Sequence, residues 1–149
     1  MRNAFQEELD SIHGTLVRMG QLVEESMSSA TKALLEPNLE LAQKIIKEDD
    51  TIDDMQHELD ARTMLIIARQ SPVAGDLRTL VTSLRMSADL ERMGDMAHHI
   101  AKLARMRYPN CAVPAEIKEI IVQMDRVAVS IIQKTTAAIE TRNTTLALQ

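Results

Sequence analysis

Helix breakers are scarce in this chain, and what lies between them is periodic. Only four glycines and four prolines punctuate 149 residues. Between them apolar residues recur three and four positions apart over runs of roughly 30 residues, the spacing of one face of a 3.6-residue helix. Glycine and proline disfavour a helix interior by about 1 and 3 kcal/mol relative to alanine, so the absence of proline from the interior of these runs and the scarcity of glycine within them leave an all-α fold as the reading. The breaks that do exist divide the chain into four. Asn3 with Gln6 forms a capping pair for a first helix near 3–35, and Pro37-Asn38 interrupts the chain so that Asn38 caps a second near 38–69. Ser71-Pro72 supplies a cap and a first-turn proline for a third near 73–107. Tyr108 to Val113 reads as a loop, after which Pro114 and Glu116 open a fourth helix near 114–141. Helices this long on connections this short must turn back on one another, which predicts an antiparallel helical bundle.

Composition narrows the function classes. The hydrophobic fraction of 45% suits a single domain with a substantial core, and the formal charge of −5 with one Tyr and one Phe gives neither a basic footprint nor a stacking platform for nucleic acid. A lone cysteine, Cys111, permits no internal disulfide and fits a reducing compartment. The N-terminus lacks the pattern of a signal peptide, and the longest apolar run, Met64 to Ala68, is far too short to cross a bilayer. A cytoplasmic protein is expected. No nucleophile stands beside a base and no Walker-type phosphate loop is present, so the sequence offers nothing for catalysis.

Acidic pairs stand out against this background. Glu91 and Asp95 lie four apart and fall on the helical line through Val73, Leu77, Leu84 and Ala88, which reads as an inward stripe. Asp49 and Asp53 repeat the spacing: Asp49 sits in the middle of the stripe Ile45, Ile52, Leu59 and Ile66, with Asp53 at its edge. An inward carboxylate is penalised by several kcal/mol unless a proton, a cation or a metal compensates. Arg85, Arg92 and Lys44 are the basic partners within reach. The alternative is a metal held by Asp49, Asp53, Glu91 and Asp95, with His98 and His99 as accessory ligands. Oxygen ligands alone would favour Mg or Mn, whereas an imidazole admits Fe or Zn. Di-iron bundles use a Glu-x-x-His element that is missing here, which counts against a ferritin-like oxidase. On the third helix, Met86, Met93, Ala97 and Ile100 make a second apolar line nearly opposite the acids. That line predicts a further layer of packing and, without one, a homodimer or higher oligomer.

A shift of 105 positions superposes Met19 on Met124, Thr31 on Thr136, Ala33 on Ala138, Asn38 on Asn143 and Leu41 on Leu146. The fourth helix therefore reads as the first helix again. Residues 1–108 would form one three-helix repeat, and 109–149 the first helix of a second that continues beyond Gln149.

With Met19 to Glu24, Ile46 to Asp53, Gln70 to Arg78 and Asp89 to Lys102 in this order, the sequence resembles the PhoU family of phosphate-uptake regulators, built from two three-helix repeats. The resemblance implies a regulator that couples the phosphate-specific ABC transporter ATPase to a sensor histidine kinase and represses the phosphate-starvation response, at or near the inner face of the membrane. It further implies multinuclear Fe or Zn sites at Asp49 with Asp53 and at Glu91 with Asp95. His99 departs from the family's usual Asn. The alternative function is a histidine-phosphotransfer module, since His99 and Lys102 lie three apart on a helix, although Leu103 stands where such modules carry Gly.

Overall fold

A computed structural model describes the backbone of residues 2–148 and the side chains of residues 4–148. Four helices carry the fold: α1 (Arg2–Leu35), α2 (Leu39–Gln70), α3 (Ala74–Arg107) and α4 (Lys118–Thr141). Short 3-10 turns at Ala115–Ile117 and Leu146–Leu148 complete the described residues, among which there is no strand. The expected all-α bundle is the observed one. α1, α2 and α3 pack on one another, while α4 lies against α1 alone of the three.

The helix boundaries follow local chemistry, with two corrections. Asn38 caps α2 as expected, its side chain accepting the Leu41 N–H at 3.0 Å. Ser71 does not cap α3. It closes α2 instead, in the left-handed region at φ 44°, donating its N–H to Ile67 O at 3.2 Å. Val73 takes the position before α3 without a side-chain cap, and Pro72 stays outside the helix. The hydrogen bond back to Ile67 is what removes Ser71 from the next helix. Pro114 precedes a 3-10 turn before α4 proper begins. The capping role read for Asn3 concerns a side chain outside the described residues.

Burial corrects the faces assigned to α3. Its inward side is Leu80, Ser83, Ser87, Leu90, Gly94, Ala97, Ala101 and Ala104. These are mostly small residues, so α1 and α2 approach the helix closely. The line Val73, Leu77, Leu84, Ala88 lies beside that face, not within it, and Val73 is 75% exposed. Glu91 and Asp95 are accordingly half-buried at the edge that faces α2. Met86, Met93, Ala97 and Ile100 were expected to lie bare; instead Ala97 is fully buried, Met86 and Met93 pack on the larger core cluster, and Ile100 packs on the alanine-rich one. Both lines flank an inward face centred between them, which a periodicity alone does not locate. The line from Met86 to Ile100 therefore offers no bare surface for association. On α2 the stripe Ile45, Asp49, Ile52, Leu59 and Ile66 is buried as expected.

Gly20 brings α4 onto α1. A Cβ there would clash with the buried Thr136 side chain, whose Cγ2 and Cβ lie at 3.1 and 3.2 Å. Gln133 donates to Glu24 at 2.6 Å and Arg142 to Asp10 at 3.2 Å, fixing an antiparallel register. The opposite side of α4, with Ile120, Met124, Val127 and Ile131, is exposed. At the far end of α1, Leu35 O accepts from Cys111 Sγ at 3.4 Å and Lys118 Nζ at 3.3 Å. The cysteine thus serves the helix terminus, where carbonyls lack intrahelical partners.

Candidate metal centre

Gly94 sets the geometry of the site. It sits where α3 crosses α2, and a Cβ would meet Ile52 Cδ1 at 3.0 Å and Asp49 Oδ1 at 3.5 Å. With only hydrogen there, α2 lies close enough for the two acidic pairs to face each other. Asp49 is buried and paired with His98 through Nδ1, across the helix interface. Asp95 joins them: one ligand atom from each of Asp49, Asp95 and His98 falls within 4.8 Å of the other two.

Asp53 and Glu91 border this cluster. Burial raises the pKa of Asp53, and the carboxylates of Asp49, Asp95 and Asp50 raise it further, with His57 opposing weakly. Glu91 is raised likewise, first by burial and then by Asp95, Asp53 and Asp49, against a lowering effect of Arg92. These mutual influences place all four sequence-identified acids in one electrostatic neighbourhood. Arg85, Arg92 and Lys44, the basic partners considered above, form no ion pair with any of the four; Lys44 pairs with Glu48 at 3.6 Å on the surface. Among the described residues the only cationic candidate within bonding distance is His98. Its Nε2 is buried and without a hydrogen-bond partner, as is Asp53 Oδ1. His99, by contrast, points outward, its ring 6.0 Å from that of His98. The structure thus makes His98 central to the cluster and leaves His99 outside it.

Chemically the arrangement is a set of hard carboxylate oxygens with one imidazole, short of positive charge. Two buried polar atoms of these residues, His98 Nε2 and Asp53 Oδ1, lack a hydrogen-bond partner among the described residues. Such a set fits a divalent or ferric ion, whose ligands are deprotonated carboxylates and neutral imidazole.

Sequence reading missed the layer below. Asp60 accepts from Ser87 Oγ at 3.1 Å and from Gln56 Nε2 at 2.6 Å, linking α2 to α3 one turn pair away from the acids. Its signal was available: Asp60 lies seven residues after Asp53, on the same helical line. Gly94 was likewise legible as a glycine within the acidic motif, yet its role required knowing that α2 packs against it.

The chain is similar to known proteins over most of its length. A family model described as PhoU domain matches residues 16–104. Phosphate-specific transport system accessory protein PhoU homolog 2 of Mycobacterium tuberculosis is 39% identical over 131 residues, covering 88% of this chain and 62% of the relative. PhoU homolog 1 of the same species is 35% identical, with 59% of its length covered. The chain therefore spans about three fifths of the length of these curated relatives. Among solved structures, PhoU from Pseudomonas aeruginosa superposes with a TM-score of 0.86 at 29% identity, over 97% of this chain and 68% of that one. The phosphate transport system regulatory protein PhoU from Streptococcus pneumoniae gives 0.84 at 28% identity, over 97% of this chain and 67% of that one.

Proposed function

This chain belongs to the PhoU family, and from that premise we propose that it is a negative regulator of phosphate uptake and of phosphate-starvation signalling, acting by contact and not by catalysis. Its partners in this reading are the ATPase of the phosphate-specific transporter and the sensor histidine kinase, so it works at the cytoplasmic side of the membrane. No helix among the described residues is long and apolar enough to cross a membrane. The relatives' description as transport-system accessory proteins supports the role.

The observation that carries the mechanism is the Asp49–Asp95–His98 cluster with Asp53 and Glu91 at its border. These residues would hold an Fe, Zn or Mn ion between α2 and α3, and the ion would supply the positive charge that the cluster lacks. Asp49 and Asp95 come from different helices, so occupancy ties α2 to α3 and stiffens the bundle face available to a partner.

Residues 1–108 are proposed as one three-helix repeat and 109–149 as the start of a second. Met19 is wholly buried between its neighbours whereas Met124, its repeat mate, is 61% exposed on the side of α4 that faces no helix among the described residues. That contrast is what an unfinished repeat would give. An alternative cover for this side of α4 is a second copy of the chain, as a homodimer.

Deleting the gene should derepress alkaline phosphatase in phosphate-replete cells, and the wild-type gene should restore repression while an Asp49→Asn, Asp95→Asn gene should not. Full repression in the deletion strain would overturn the regulatory reading.

A further inference from the structure

The α2–α3 turn lies at the opposite end of the hairpin from the acidic cluster and has a different chemistry. Between residues 61 and 85 the chain carries four arginines and a single acid, Asp76, although its formal charge overall is −5. The turn is also held in an unusual backbone. Ser71 and Ala74 both adopt left-handed conformations, at φ 44° and 48°. Neither is glycine, and such conformations disfavour an L-residue by about 1 kcal/mol or more. Between them Val73 is extended and 75% exposed, so the strain accompanies an apolar side chain projected into solvent.

More apolar surface follows behind the tip. Leu77 and Val81 are exposed on α3. The Asp60–Ser87 and Asp49–His98 pairs fix the register of the hairpin, which brings the exposed Met64 of α2 to the level of Ser83. Arg78 and Arg85 lie seven residues apart, hence on one side of α3, and neither makes an ion pair or a side-chain hydrogen bond among the described residues. Their guanidinium groups are free, and their stems can lie along apolar surface while the charge stays in water.

We propose that this turn, with Val73 at its tip and Arg78 and Arg85 behind it, is an interfacial anchor that seats the bundle on an anionic lipid surface. A projecting apolar tip flanked by unpaired cations matches the boundary between acyl chains and negative headgroups. The acidic cluster does not oppose the contact. Glu91 is 18 residues along α3 from Val73, about 27 Å at 1.5 Å per residue, against a screening length of about 8 Å at physiological ionic strength. The proposal deepens the membrane-side reading of the regulator and is independent of metal.

Co-sedimentation of the full chain with phosphatidylcholine vesicles, with or without 30% phosphatidylglycerol, tests it at 0.1 M salt. Wild-type protein should partition onto the anionic vesicles and not onto the neutral ones, and 0.5 M salt should release it. Arg78→Gln with Arg85→Gln should weaken the partition about twenty-five-fold, taking roughly fivefold for each arginine near an anionic surface. Val73→Glu should abolish it, with helical content by circular dichroism unchanged in both variants. Wild type left in the supernatant, equal binding to both vesicle types, or variants that bind like wild type would each overturn the anchor. If wild type ignores vesicles while these same substitutions abolish binding to the purified transporter ATPase, the surface is a protein contact. The lipid proposal then fails and the regulatory reading stands.

Discussion

At pH 7.5, replacing Asp53 by Asn or Glu91 by Gln should raise the melting temperature of the metal-free protein. Each carboxylate is half-buried and faces three others: Asp49, Asp95 and Asp50 for Asp53, and Asp95, Asp53 and Asp49 for Glu91. A screened like-charge neighbour at such a site is worth about 0.3 kcal/mol, so three amount to about 1 kcal/mol, and the relief of dehydration adds to this. For a chain of this size 1 kcal/mol corresponds to roughly 3 °C. The pH dependence fixes the cause. Because burial and neighbouring carboxylates raise both folded-state pKa values, the folded protein takes up these protons more readily than the unfolded chain. The associated stability is fully present below the unfolded values of about 3.9 and 4.3 and is lost as pH rises through the raised folded ones. The gain from either amide should therefore be full near neutrality and vanish near pH 3.5, where wild type is itself protonated. Scanning calorimetry at both pH values, with chelator present, reads the difference. A lowered melting temperature at pH 7.5, or an equal gain at pH 3.5, would refute repulsion within the cluster.

Other substitutions probe the supports of the site. His98→Ala should destabilise the metal-free protein by about 2 kcal/mol in urea, since Asp49 is buried and His98 is its only ionic partner among the described residues. Gly20→Val forces bulk into Thr136 and should weaken α4 docking by about 2 kcal/mol; hydrogen exchange should then speed up in α4 while α2 and α3 keep their protection. Leu80→Ala removes a fully buried side chain of the main cluster and should lower stability by about 3 kcal/mol in denaturant titration, with no change in metal stoichiometry.

The fold was largely legible because helix breakers are strong local signals and four long helices leave few ways to pack. α2 shows this well: Asn38, the buried stripe and the inward Asp49 all stand as read. α3 does not, for a physical reason. Its inward side is built from Ser83, Ser87, Gly94, Ala97 and Ala101, small residues that hydropathy ranks low, while larger apolar residues flank them on both sides. Periodicity followed the larger residues and so placed Glu91 and Asp95 too deep and Met86 and Met93 too far out. Spacing alone nonetheless singles out the four acids that the fold brings into one neighbourhood. His98 could be separated from His99 only once α2 was in place, because its partner Asp49 lies 49 residues away.

Whether these acids serve as a metal centre can be measured directly. Chelator-treated protein is dialysed to equilibrium against Zn2+, Mn2+ or, under anaerobic conditions, Fe2+, and bound metal per chain is determined by plasma emission spectrometry. At least one ion per chain is predicted for wild type with one or more of these metals, and none for Asp49→Asn, Asp95→Asn, which loses one ligand from each helix. Retention of the same stoichiometry by that double variant, or no bound metal in wild type, would contradict a metal centre between α2 and α3.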